Sequence, residues 1–385
     1  MTDTTTMKDQ KQALEADAGI FESSSFRRYI LYVAGAILVF MALHAGISVV
    51  LDPFRVFGLT AFNQRNFEPN TRYAKIEYLK RNQFQGFVFG SSRVNAYRTE
   101  LISRLTGLRF YNFSVPSEMP FSMYHKLRWL IDNGQPVKSL VIGLGFDQFE
   151  QDAEISKASL GVYREHPEVM GNSRLPFLAS YLLMDPRLLS VAVYGNWFKK
   201  DTWYRFDVNT GHYYFPFYDR LMDEDPDGFF RARFHTDLQK RSRIPKNEQF
   251  QYLEKTIALA IKNGIETHVI INPLHRWTFL SFFADEYVTW LRRVVAITGP
   301  LWDFSGLNSI TNDDFLFYGV GHSTFQVGDL ALMRLFDPDN RALSAHPGYG
   351  VRVTPETLNQ RAATLKASLA RRAGGTTRKR VRTQQ

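Results

Sequence analysis

No cysteine occurs among the 385 residues. Disulfides, thiolate metal sites and a cysteine nucleophile are excluded, and the absence suits an oxidising compartment. Histidine offers no alternative for metal: the nine histidines form no close cluster and show no His-Glu-x-x-His spacing, so no metal site is expected. Gly143-Leu144-Gly145 lacks the third glycine and the helix start of a dinucleotide fingerprint. No cofactor is expected.

Dispersed positive charge is scarcer than the formal net charge of +9 suggests, because Arg371, Arg372, Arg378, Lys379, Arg380 and Arg382 supply six of those charges from the tail. The remainder is mildly basic and predicts no nucleic-acid partner. Residues 341–385 read as a C-terminal helix, carried by Leu358, Ala362, Leu365 and Leu369, followed by a solvated basic tail.

Long uncharged apolar runs are also scarce, and the one that stands out is Ile30 to Leu51. As a helix its 22 residues measure roughly 33 Å, enough to cross a hydrocarbon core. A cleaved signal peptide would have a shorter leading region and a small-x-small site, whereas Leu43 stands where a small residue is wanted before Ala45. The run therefore reads as an uncleaved anchor rather than a signal peptide or a buried core helix. Arg27 and Arg28 precede it and Asp52-Pro53 closes it, which places residues 1–29 in the cytoplasm as a flexible segment and the large domain outside. Arg55, Arg65 and Arg72 on the far side weaken that charge asymmetry.

What is present is globular: 44% hydrophobic, 22% charged and 15% aromatic, enough chain for one large or two ordinary domains. Between residues 84 and 150, strands and helices alternate. Phe87-Val88-Phe89, Arg109 to Phe113 and Val137 to Phe146 read as strands, with helices from Asn95 to Leu105 and Met123 to Asp132. The pattern resumes after residue 246 with a helix at Glu248–Asn263, a strand at Thr267–Ile271, a helix at Asp285–Thr298, a strand at Pro300–Phe304 and a helix at Val327–Phe336. Such alternation predicts an α/β fold with a mostly parallel sheet. Residues at about 151–246, rich in aromatics that include Trp197, Trp203, Tyr204, His212 and Tyr213, interrupt it as an insertion over the sheet. That insertion either walls a cleft or is a packing subdomain.

Sites in such sheets lie at the carboxyl ends of the strands. The exit of the first strand is Gly90-Ser91-Ser92-Arg93, where Ser92 is the first candidate nucleophile and Ser91 the second; a plain turn with a capping serine is the competing reading. Other polar groups at strand ends or in following loops are Asn112, Ser114, Asp147, His275 and His322. His322 is suited to be the base, with the N–H groups of Ser92 and Ser114, and Asn112 nearby, as oxyanion donors. Arg93 either binds an acidic sugar or steadies the turn, and His275 either lines the cleft or makes ordinary loop hydrogen bonds.

These short blocks resemble the SGNH/GDSL hydrolase superfamily, in its membrane-anchored extracytoplasmic branch associated with polysaccharide O-acetylation and teichoic-acid alanylation. Gly90-Ser91-Ser92 resembles the Gly-Asp-Ser block, Tyr111 to Ser117 the second block, Gly145-Phe146-Asp147 the Gly-x-Asn block and Tyr318 to His322 the Asp-x-x-His block. The resemblance implies a three-layer SGNH-like domain over about 52–340, with Ser92 as nucleophile and His322 as base. It also implies an acyl donor and a secreted polysaccharide as substrates, a periplasmic location at the inner membrane, and a multi-spanning acyltransferase or an export complex as partner. Two positions depart from the pattern. Asp147 replaces the asparagine, and Gly319 replaces the aspartate that orients the histidine, an orientation worth about four orders of magnitude in serine hydrolases. Asp313, Asp314 or Asp147 is left as the carboxylate that would serve His322. The alternative reading is a non-catalytic scaffold or polysaccharide-binding component that keeps the fold.

Overall fold

The alternating pattern becomes one six-stranded sheet in the computed structural model, which describes residues 24–52, 56–57, 71–150, 152, 165–194, 205–234 and 239–370. Trp197, Trp203 and Tyr204, the residues before Ser24 and the basic tail lie outside the described residues. The chain begins with α1 (Ser24–Leu51) and α2 (Thr71–Leu79), then β1 (Gly86–Gly90), a 3-10 turn (Ser92–Ala96), α3 (Thr99–Thr106), β2 (Phe110–Asn112), α4 (Pro120–Asp132) and β3 (Ser139–Leu144). The insertion contributes α5 (Arg174–Leu182), α6 (Pro186–Val193), the hairpin β4 (Arg205–Asp207) and β5 (His212–Tyr214), α7 (Pro216–Glu224) and α8 (Pro226–Arg233). The main sheet continues through α9 (Asn247–Lys262), β6 (Glu266–Ile271), α10 (Arg276–Leu280), α11 (Ala284–Thr298), β7 (Leu301–Asp303), α12 (Phe325–Phe336), β8 (Val351–Val353) and α13 (Leu358–Ala370).

The strand order is β2-β1-β3-β6-β7-β8, with all neighbours parallel except β8, which runs antiparallel to β7. Side-chain alternation divides the interior in two. Phe87, Phe89, Leu140, Ile142, Leu144, Val269 and Ile271 join one core with residues of α4, α9, α11 and α13, whereas Val88, Val141 and Ile270 join another with residues of α3 and α12. β1 and β3 are the pair from which the chain departs in opposite directions. Such a switch point opens a crevice at the strands' carboxyl ends, and Ser92 follows β1 there.

The sheet reaches past residue 340, where the sequence reading ended the domain. Val353, Ala362, Leu365 and Leu369 belong to the larger core, so β8 and α13 close the sheet's far edge. The opposite edge is covered by the insertion, whose Thr210 carbonyl accepts the N–H of Asn112 at 3.0 Å.

α1 is apolar and long enough to cross a membrane, and its surface is mostly uncovered. The helix begins before the Ile30 expected from the apolar run and ends at Asp52 (φ +36°), whose carboxylate accepts the Phe57 N–H. From there α2 leads into the sheet. Its first turn faces two ways: the Tyr73 ring stacks on Phe177 of α5 with centroids 4.3 Å apart, and Arg72 Nη2 donates to the Pro116 carbonyl at 2.7 Å.

Candidate active site

Two glycines shape the turn that carries the candidate nucleophile. Gly90 and Gly143 are register partners on β1 and β3, and a Cβ on either would lie within 2.6 or 2.1 Å of a Val94 methyl. Their missing side chains leave a hollow in one sheet face, and Val94 fills it. Gly90 also has φ +147°, a conformation open to glycine. The chain therefore leaves β1 through a 3-10 turn instead of the α-helix expected from Asn95, and α3 starts only at Thr99.

A buried ion pair holds the start of this turn. Glu118 Oε2 accepts the Gly90 N–H at 3.0 Å, while its other oxygen pairs with Lys126, whose ammonium also donates to the Phe113 carbonyl. Burial pushes the Lys126 ammonium down to about 8 against the opposing pull of Glu118. Lys75, fully buried, donates to the carbonyls of Asn112 and Ser114 and is depressed by the same desolvation. The loop after β2 thus rests on Arg72, Lys75 and Lys126.

His322 arrives on a short loop between Tyr318 and α12. The Tyr318 N–H donates to the His322 carbonyl at 2.8 Å, Phe317 and Ser323 form an antiparallel bridge, and Gly319 turns the loop at φ +124°. Ser92 Oγ lies 2.9 Å from His322 Nε2. Two residues 230 positions apart therefore meet at hydrogen-bond distance beside a cavity of about 180 Å³ lined by Ser91, Ser92, Arg93, Ser117, Asp147, Gln148, Gly321 and His322.

None of the three candidate carboxylates makes a hydrogen bond or ion pair with His322. Asp147 Oδ1 pairs with Arg93 Nη1; Asp314 accepts from His275 Nε2 at 2.9 Å and pairs with Arg276; Asp313 caps its own turn by accepting the Phe315 N–H. Beside Gly319 there is a cation and not a carboxylate. Arg233 Nε donates to the Tyr318 carbonyl at 2.8 Å, and its backbone oxygen stands 3.0 Å from where a Cβ on Gly319 would sit. An aspartate there would meet both this crowding and the unfavourable φ. Burial, then the charges of Arg93 and Arg233, push the His322 imidazole down to about 4 against a smaller opposing pull from Asp147.

For Asp147, burial raises the carboxyl, but the charge and hydrogen bond of Arg93, with the charge of Arg243, outweigh it and leave the group below its ordinary value. Asp147 is therefore an ionised partner of Arg93, not a neutral donor or a support for the histidine. Gly145 makes room for the pair, since a Cβ there would come within 2.7 Å of Arg93 Nη1 and 2.9 Å of Asp147 Oδ1. Arg93 Nη1 is engaged, while its buried Nε has no hydrogen-bond partner among the described residues.

Three expected binding residues do not reach the cavity. The Ser114 N–H and hydroxyl both donate to Asn112 Oδ1, at 3.1 and 2.6 Å, so this N–H is not an oxyanion donor. Asn112 Nδ2 donates to the Val94 carbonyl at 3.0 Å, which ties the residue to the turn's underside. His275 is fully buried, with Nε2 turned to Asp314 and Nδ1 accepting the Trp277 N–H, and so makes structural hydrogen bonds. Two donors at the candidate nucleophile itself are the Ser92 N–H, which opens a helical turn and has no acceptor within it, and the guanidinium of the adjoining Arg93.

The sequence reading missed Glu118, Lys126 and Arg233. Lys126 carried a signal, since it shares the α4 face of Met123, Leu127 and Leu130, where a charge requires a buried partner. Neither the protein-family models nor the curated proteins give a match to this chain.

Proposed function

We propose that the chain is a membrane-anchored, serine-dependent O-acyltransferase or esterase of SGNH-like type that acts on a secreted polysaccharide from the periplasmic side of the inner membrane. The observation that carries this reading is the 2.9 Å approach of Ser92 Oγ to His322 Nε2 at the sheet's switch point. The β2-β1-β3-β6-β7 order, with apolar cores on both faces, supports the three-layer arrangement, and Arg27 and Arg28 before the span support the orientation.

In this reading Ser92 Oγ attacks the acyl carbonyl while His322 Nε2 takes its proton. The carbonyl oxygen becomes an oxyanion facing the Ser92 N–H and Arg93. His322 returns the proton to the departing oxygen, leaving an acyl-Ser92 ester. A sugar hydroxyl or water then attacks the ester carbonyl while its proton passes to His322, and His322 gives that proton to the departing Ser92 Oγ, which releases the acylated sugar or the free acid and regenerates Ser92. Asp147 neutralises and orients Arg93, so a cation takes over what an asparagine amide would supply. The depressed His322 is neutral at pH 7, as a base must be. A multi-spanning acyltransferase or an export complex is the partner that would deliver the acyl group.

The charges around His322 favour one other reading, a non-catalytic polysaccharide-binding scaffold, because Arg93 and Arg233 oppose the imidazolium that a catalytic base must become. Purified full-length chain, tested with p-nitrophenyl acetate and a fluorophosphonate probe, decides between them. Catalysis predicts turnover and covalent labelling, both lost in Ser92→Ala and reduced at least about 10²-fold in His322→Gln. Labelling and turnover unchanged by Ser92→Ala, or absent from a folded wild-type chain, would overturn it.

A further inference from the structure

The last turns of α1 are joined to the insertion. His44 Nε2 donates to the Met184 carbonyl at 2.8 Å, and Tyr181 donates to Asp52 Oδ1 at 2.9 Å. Val56, Tyr73, Phe177, Tyr181, Met184 and Leu189 form a separate small core, against which Leu51 and Phe57 pack. At the helical rise, His44 lies about 10 Å below Leu51 along the axis. An apolar span that continues to Leu51 keeps His44 within its outer third. The segment joining α5 to α6 touches His44, so the pair must reach the boundary between acyl chains and headgroups.

The outward face of α5 suits that depth. Leu175, Pro176, Ala179 and Leu183 are exposed, and 175, 179 and 183 recur at four-residue spacing along one helix face. Leu175 is 74% exposed and Leu183 46%, with Tyr194 at 60% just beyond α6. Outside α1, seven large apolar side chains are exposed among the described residues, and these are three of them. Arg187 stands exposed nearby, placed to meet lipid phosphate.

We propose that α5 and α6 dock in the interface of the same bilayer that α1 crosses, with the Leu175–Leu183 face against the acyl chains and Tyr194 and Arg187 at headgroup level. Interfacial helices insert their apolar face about 5–10 Å into this boundary, which matches the depth set by His44. The occupant is a lipid surface rather than another protein because α5 packs directly on the end of the span. The inference rests on α1 being a membrane span.

The absence of native cysteine makes single labels unambiguous. Leu38→Cys, Leu175→Cys, Leu183→Cys and Ile261→Cys are introduced one at a time into the full chain, reconstituted in phosphatidylcholine–phosphatidylglycerol vesicles and labelled with an environment-sensitive fluorophore. Ile261, 73% exposed on α9, is the aqueous control. Expected are a roughly twofold loss of emission to lipid-borne nitroxide at positions 38, 175 and 183, and quenching by aqueous iodide at 261. Lipid quenching at 38 with iodide quenching at 175 and 183 overturns the docking and leaves the span intact. Iodide quenching at 38 overturns the span and the docking with it, and lipid quenching at all four positions overturns the specific face.

Discussion

Arg93 follows the candidate nucleophile in sequence, and its guanidinium pairs with Asp147, the residue that follows β3 by three positions. The pair joins the exits of neighbouring strands at the mouth of the cleft. Arg93→Met is expected to lower kcat toward a neutral acetyl ester by about 10²-fold or more, with little change in KM, because an oxyanion donor acts only in the transition state. Unchanged kcat with raised KM confined to acidic esters would assign Arg93 to substrate binding instead.

The depressed histidine sets the pH dependence. His322 is neutral above about 4, so the acid limb of kcat/KM on a neutral ester is expected near 4. Replacing Asp147 with asparagine removes a charge that raises the imidazole pKa, so the limb moves lower still. Stability follows the same sign: His322 and His212, held at about 4 and 3, bind protons less readily folded than unfolded. The urea midpoint should therefore fall as the pH drops from about 6.5 toward 4. A midpoint that rises over that interval would contradict their burial as neutral groups.

Val94 is the nearest neighbour of the Cβ that either Gly90→Ala or Gly143→Ala would add. Each substitution is expected to cost about 1–3 kcal/mol, measured by denaturant titration, from overpacking. Adding Val94→Ala should recover more of the loss at Gly143 than at Gly90, where φ +147° disfavours any side chain regardless of space. Equal recovery would mean that the hollow alone, and not the backbone, demands glycine at Gly90.

Removing one member of the buried Lys126–Glu118 pair leaves the other charge without its partner. Lys126→Met is expected to destabilise the fold by about 3–5 kcal/mol, with part of the loss regained in the Lys126→Met, Glu118→Gln double variant. Because Glu118 also accepts the Gly90 N–H, ester turnover should fall in the single variant at temperatures where it remains folded. Circular dichroism melts together with rates at low temperature separate the two effects.

β1 and β3 were legible because each is an almost continuous apolar run, as strands buried on both faces must be, β6 because its buried second half is Val269-Ile270-Ile271, and the amphipathic α9, α11 and α12 fell within two residues of their expected limits. β4, β5 and β8 have three residues each, too short for a period of two to stand out, although Asp207 to Gly211 has turn composition. The early helix expected at Asn95 failed because Val94 draws the chain into the hollow above Gly90 and Gly143, a contact between segments that no local pattern carries. Ser92 and His322 could be singled out because strand exits and helix approaches mark them. Asn112, Ser114 and His275 sit in equally suggestive places, but their polar atoms turn inward, and orientation is decided by partners such as Lys75 and Asp314 that lie far away in the chain.

The first turn of α2 touches α5 through Tyr73 and the 115–118 loop through Arg72, and Ser117 of that loop lines the cleft. Two consecutive side chains of α2 thus join the helix that packs on the end of α1 to the wall of the Ser92 cleft.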